Sequence, residues 1–184
     1  MEIGADIESI IKPETHIEIQ MLSQQEFRKG CFYGEPRRGH PEGKVIFHIK
    51  EVLANVDKYA THKNREALRI IAITHDTFKH QVDRRRQKDA ANNHGYFAWL
   101  FARRFIPSAQ EILEVIKRHD EAFGAWRQGG VYGNWEKAGR RASSLIKTLK
   151  QFDALELYLA FYQCDNETGD KNRDNFEWFK QQAV

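Results

Sequence analysis

After Pro107 the chain runs to Val184 without another proline, and the other prolines stand at positions 13, 36 and 41. A proline inside a helix removes a hydrogen bond and collides with the preceding turn, so a long stretch without one is open to helix throughout. The apolar residues agree. Val45, Ile49, Val52, Leu53 and Val56 recur at spacings of three and four from Lys44 onward, the period of an amphipathic helix. Strand patterns are negligible, so the sequence predicts an all-α fold of seven or so helices.

Other segments divide in the same way. Ser23 to Lys29 reads as a short helix capped by Ser23 with Glu26 in capping-box spacing, and Gly30 to Gly43, with Pro36 and Pro41, reads as a loop. Glu66 to Lys79 is Ala/Leu/Ile-rich nearly all round and predicts a central helix. Asn93 to Arg104 is closed by Pro107, and Ser108 with Glu111 opens the next helix, whose Ile112, Val115 and Ile116 face inward. Gly124, Gly129, Gly130 and Gly133 suggest a loop, with Trp126, Tyr132 and Trp135 nearby. Ala138 to Tyr162 follows as one long helix or two, and Arg173 to Gln182 closes the chain with Phe176 and Phe179 inward.

With 184 residues, 41% hydrophobic and 30% charged, the balance is globular, and no linker or repeat divides it. A single domain over 1–184 is expected, burying roughly 70% of the surface its unfolded chain exposes. The 29 Lys plus Arg nearly balance the 26 Asp plus Glu, which gives no strong signal for long nucleic acid. The run Arg84, Arg85, Arg86 and Lys88 reads as a solvated loop or as a contact for a small anion. Cys31 and Cys164 exclude a disulfide framework and a four-thiolate zinc site. Glu2, Asp6 and Glu8 do not fit a secretory signal, and no stretch approaches a membrane span, so a cytoplasmic location is expected.

Potential chemistry gathers on histidines and aspartates. His48, His94 and His119 each fall on the apolar stripe of a separate predicted helix, His75 and Asp76 stand together near the end of the central one, and Asp165 follows Tyr158, Phe161 and Tyr162 on an inward face. One buried imidazole is commonly a hydrogen-bonded core residue, and an isolated His-Asp pair is unspecific. Several inward imidazoles with inward carboxylates require a shared charge balance, which a divalent cation supplies. The intervals are far wider than those of a zinc finger and place each ligand on a different helix of a bundle.

The order His48, His75-Asp76, Asp165 resembles the HD superfamily of metal-dependent phosphohydrolases. The stretch His40-Pro41-Glu42-Gly43 ahead of His48 is similar to the HD domain attached to bacterial CCA-adding tRNA nucleotidyltransferases. The likeness spans roughly residues 36–166 and includes nothing of a nucleotidyltransferase domain. It implies a compact HD-like helical fold, a divalent metal held by His48, His75, Asp76 and Asp165, and hydrolysis of a phosphate ester. Mg, Mn, Fe, Co, Ni and Zn are not distinguished. His94 and His119 correspond to positions that hold a second metal in some branches, with Asp76 as the bridge; alternatively, His94 binds substrate phosphate and His119 donates to Asp120 or to a carbonyl.

The family's common His-Asp-x-Gly-Lys is His75-Asp76-Thr77-Phe78-Lys79 here. Lys79 is retained, as a cation for a phosphate oxygen or a lysine reaching solvent, while Phe78 replaces the glycine and puts in doubt the close approach of a bulky nucleotide. Asp120 is either a ligand or a support for one, and Cys164 reads as a core thiol. The expected partner is a small phosphorylated substrate, a nucleotide or cyclic phosphodiester, with Asp76, Lys79 and His94 nearest the chemistry and no membrane involved; an oligomer is open. The competing expectation is a catalytically silent domain of the same fold that binds a nucleotide or a protein.

Overall fold

Residues 7–36, 41–87, 89 and 91–183 are described by a computed structural model, and they form helices, turns and loops with no strand among them. The helices are α1 (Ile7–Ile11), α2 (His16–Leu22), α3 (Gln25–Cys31), α4 (Val45–Tyr59), α5 (Arg65–Thr74), α6 (His94–Ala102), α7 (Gln110–Arg118), α8 (Glu121–Gly130), α9 (Trp135–Gln151), α10 (Leu155–Asn166) and α11 (Asp174–Ala183), with a short 3-10 turn at Lys79–Gln81. They make one all-α domain. Glu2, Asp6, His40 and Lys88 lie outside the described residues.

The expected central helix is α5, which packs against α4, α7 and α10 and is buried from Leu68 to Thr74. Its neighbours supply Ile49, Val52 and Val56 from α4, Val115 and Ile116 from α7, and Tyr158 and Phe161 from α10, all at most 1% exposed. The helix ends at Thr74 instead of running on to Lys79. Thr74 and Thr77 Oγ1 donate to the carbonyls of Ile70 and Ile73, each at 2.7 Å, which satisfies two buried hydroxyls while the chain turns.

Several boundaries differ from the sequence expectation for local reasons. Ser23 does not cap α3; its hydroxyl donates back to the Gln20 carbonyl at 2.7 Å, and Gln24 occupies the cap position without a side-chain bond. Similarly, Ala109 and not Ser108 precedes α7. The side-chain cap that does form belongs to α2: Thr15 Oγ1 accepts from the Glu18 amide at 3.2 Å, and Glu18 Oε2 accepts from the amide of Glu14, one residue before the cap, at 2.9 Å.

The glycine-rich stretch is the largest departure, because Gly124, Gly129 and Gly130 lie inside α8 and not in a loop. A Cβ on Gly129 would sit 2.1 Å from the Trp135 ring, and one on Gly130 would sit 2.6 Å from the Trp126 ring. These two glycines admit indoles, and only Gly133, at φ +72°, makes the turn. The long predicted helix is two helices, α9 and α10, separated where Asp153 takes φ 55° and the Ala154 amide donates to the Leu149 carbonyl at 2.9 Å.

Two buried polar clusters tie the ends of the domain to its middle. Arg69 of α5, 3% exposed, donates from Nε and Nη2 to the two carboxylate oxygens of Glu18, each at 2.9 Å, and from Nη2 to the Lys12 carbonyl at 3.0 Å. At the other end, Tyr162 donates to Asn175 Oδ1 at 2.5 Å and Asn166 donates to the same oxygen at 3.0 Å, docking α11 on α10.

Candidate metal centre

Helix ends, not helix stripes, bring the candidate ligands together. His75 follows the last residue of α5, His94 is the first residue of α6, His119 follows the last residue of α7, and Asp165 lies in the final turn of α10. Only His48 sits within the body of a helix, α4, on the stripe with Val45, Ile49 and Val52. The four imidazoles are at most 7% exposed, and Asp76 is 4% exposed.

Supporting contacts fix their directions. The Ala72 carbonyl lies 2.9 Å from His75 Nδ1, and the Ile116 carbonyl lies 2.8 Å from His119 Nδ1. A carbonyl only accepts, so each Nδ1 donates and each neutral ring presents the lone pair of Nε2 to the cleft. The Nδ1 of His48 faces Glu42 Oε1 at 3.4 Å, which gives the Glu of the His-Pro-Glu-Gly stretch an orienting part. Asn93 Oδ1 accepts from the Tyr96 amide at 2.8 Å and starts α6 at His94. Phe161 lays its ring against His75 with centroids 5.1 Å apart.

Two groups result. His48, His75 and Asp165 form one triad, and Asp76, His94 and His119 form the other, with the potential ligand atoms of each within 4.8 Å of one another. In the first, His48 Nε2 lies 3.2 Å from His75 Nε2 and 3.0 Å from Asp165 Oδ1. In the second, the Nε2 atoms of His94 and His119 are 2.9 Å apart. Asp76 lies between the groups. Its Oδ2 is 3.6 Å from the Nε2 of both His48 and His75, while its Oδ1 is 3.3 Å from His94 Nε2 and 3.5 Å from His119 Nε2.

Comparison with family models, with curated proteins and with solved structures finds no match to this chain. The chemistry of the centre therefore rests on the residues themselves.

The charge balance fits a cation. Burial would raise the Asp76 carboxyl, but the Lys79 ammonium and the His75 and His119 rings hold it well below the usual carboxylate range. Burial acts in the same sense on Asp165 and is likewise outweighed, here by Lys171 and His48. The His75 ring, fully enclosed, is pulled down to about 3, so it is a neutral nitrogen donor. His48 and His119 are raised despite burial, His48 by Asp165 and Glu42 and His119 by Asp76 and Asp120. Two ionised carboxylates facing neutral or easily protonated imidazoles make a donor set suited to divalent metal.

Lys79 reaches the cleft from the 3-10 turn, not one helical turn beyond His75, and its ammonium pairs with Asp76 Oδ2. Phe78 turns away from the cleft; it is 1% exposed and packs against Phe101 with centroids 4.8 Å apart. Asp120 is half-exposed, with Oδ2 at 3.4 Å from His94 Nε2. His119 donates to the Ile116 carbonyl. Cys164 is buried, and burial pushes its thiol up to about 12, as suits a core residue.

Three supports were not visible in the sequence. Lys171 donates to Asp165 at both the carbonyl and Oδ1, each at 2.9 Å, from a loop with no periodicity to mark it. Tyr158 donates toward the His119 carbonyl at 3.0 Å and accepts from the Ala122 amide at 3.1 Å, pinning the turn that carries His119 and Asp120. Gly30 lets α3 abut the turn after Asp76, since a Cβ there would lie 1.9 Å from the Thr77 carbonyl oxygen. A glycine in the last turn of a short helix was the only available signal.

Proposed function

We propose that this protein is a divalent-metal-dependent hydrolase of phosphate esters of the HD type, with one metal position formed by His48, His75 and Asp165, a second by His94 and His119, and Asp76 shared between them. The observation that carries this reading is the division of the Asp76 carboxylate, one oxygen toward each triad. A carboxylate can join two cations in that way, and paired metals recur in phosphoester hydrolysis. The likeness of His48, His75-Asp76 and Asp165 to the HD order supports the same conclusion.

Metal bound in these positions supplies Lewis acidity toward a phosphoryl oxygen and toward water. The imidazole-rich donor set favours Mn, Fe, Co, Ni or Zn over Mg, which prefers oxygen ligands. The chain's own groups do the rest. Lys79, now paired with Asp76, offers an ammonium to a phosphate oxygen, and the half-exposed Asp120 can accept a proton beside the second triad. The carbonyls of Ala72 and Ile116 keep two rings in the binding tautomer throughout.

The test combines elemental analysis of protein loaded with Mn with a hydrolysis panel of monoesters, cyclic phosphodiesters and nucleoside triphosphates in Mn, Fe, Co, Ni and Mg, with products separated by chromatography. Two metals per chain and metal-dependent hydrolysis are expected. Metal without hydrolysis of any ester would leave a binding domain, and protein that takes up no metal would end the proposal.

A further inference from the structure

Beyond the second triad lies a cavity of about 410 Å³ whose wall includes His94 and His119, so a molecule held there rests against that triad's ligands. The volume falls in the range of small-molecule sites. Apart from the imidazoles, the wall is glycine, asparagine and charged side chains, and among the described residues no other aromatic and no aliphatic side chain contributes.

The charges around the cavity can be accounted for one at a time. Arg118 is neutralised by Glu114 and Glu121, at 2.7 and 3.0 Å. Asp89 accepts from the amides of Ala91 and Asn92, each at 2.8 Å, and serves its own loop. Asp120 faces His94 at 3.4 Å and belongs to the triad side. Two cations remain, Lys117 of α7 and Arg141 of α9, and among the described residues neither has a carboxylate within ion-pair distance. Lys117 Nζ is positioned by the Trp99 ring, 4.9 Å from its centroid. Arg141 lies over Gly124, its Nη2 at ordinary contact distance, 3.6 Å, from where a Cβ would stand on that residue.

Resting on the hydrolase reading, we propose that the cavity receives the far end of a small phosphate ester bearing a second anionic group, with Lys117 and Arg141 as its counter-charges. A guanidinium and an ammonium on separate helices suit a carboxylate or a second phosphate a few atoms from the reacting phosphorus. The polar wall suits a short hydroxylated or unsubstituted spacer between the two.

Non-hydrolysable probes separate this inference from the hydrolase reading. Calorimetric titration of Mn-loaded protein with 3-phosphonopropionate, propane-1,3-bisphosphonate, propylphosphonate and the analogue of AMP in which CH2 replaces the ester oxygen measures affinity whether or not the protein turns over. At least one of the two probes with a second anionic end should bind at least about tenfold more tightly than propylphosphonate and the AMP analogue, the usual worth of one charge-assisted contact. The tighter probe identifies the second group as carboxylate or phosphonate. Arg141→Ala, an exposed substitution on α9, should bring that probe and propylphosphonate to within about twofold of each other while leaving helicity unchanged. Equal affinities in the parent protein, tightest binding of the AMP analogue, no binding of any probe, or an advantage that survives Arg141→Ala would each overturn the inference. Phosphate release from p-nitrophenyl phosphate, followed separately, decides the hydrolase reading.

Discussion

Asp76 directs Oδ1 to within 3.3 Å of His94 Nε2 and keeps Oδ2 for the opposite triad, where His48 and His75 stand 3.6 Å away. One side chain thus holds in register two ligand sets drawn from α4, α10 and the ends of α5, α6 and α7. Loss of its charge should be felt on both sides.

Asp76→Asn keeps the shape and removes that charge. Bound metal should fall at both positions, and phosphate release should drop by at least about 100-fold, with helicity retained. Elemental analysis and a rate at saturating Mn check the two effects, and an unchanged rate would remove Asp76 from the mechanism.

Replacing His94 and His119 together by alanine empties one triad and leaves His48, His75 and Asp165 in place. The expected metal content is half that of the parent, read by elemental analysis after loading with excess Mn and desalting. One metal in both proteins would assign the two histidines to the substrate or to hydrogen bonds that support the remaining ligands.

The glycines of α8 and α9 give a matched pair for stability. Gly129→Ala places a methyl 2.1 Å from the Trp135 ring and should destabilise by about 1–3 kcal/mol. Gly139→Ala, with nothing within 4 Å of the new carbon, should stabilise by about 0.5–1 kcal/mol through helix propensity. Urea unfolding of the two variants against the parent measures both signs.

Alkaline pH should weaken the fold. Burial pushes the thiols of Cys31 and Cys164 up to about 12 from an ordinary 9.0, so the unfolded chain releases these protons first and stability declines as pH rises through the unfolded value. Melting temperature is expected to fall above about pH 9. Tyr158 and Tyr162, also raised by burial, act in the same direction at higher pH. Cys31→Ala with Cys164→Ala should therefore shallow the first part of the decline, and an identical pH slope would reject the assignment.

The helical class was legible in spacing, since the stripe from Val45 to Val56 is α4, while the order His48, His75-Asp76, Asp165 pointed to residues that gather with His94 and His119 in two adjoining triads. What spacing hides is what a residue is for. Gly129 and Gly130 carry the turn signal of any glycine, and only the indoles of Trp135 and Trp126 explain their place in a helix. Nothing local marks Glu18 and Arg69 as a pair, since burial of a charged pair depends on a partner 51 residues away. Lys171 approaches Asp165 from a loop, where no periodicity announces a contact.

The Glu18 to Arg69 bond also sets the limits within which the centre can be inherited or transplanted. A segment cut to 36–166 would remove the Glu18 carboxylate that Arg69 pairs with and would strip Asn175 from Tyr162 and Asn166. Ile7, Ile11, Met21, Leu22 and Phe27, all at most 2% exposed, would go with it and uncover the core they fill. The candidate ligands therefore do not form a movable cassette: the short helices before them and the last helix after them belong to the same folded core.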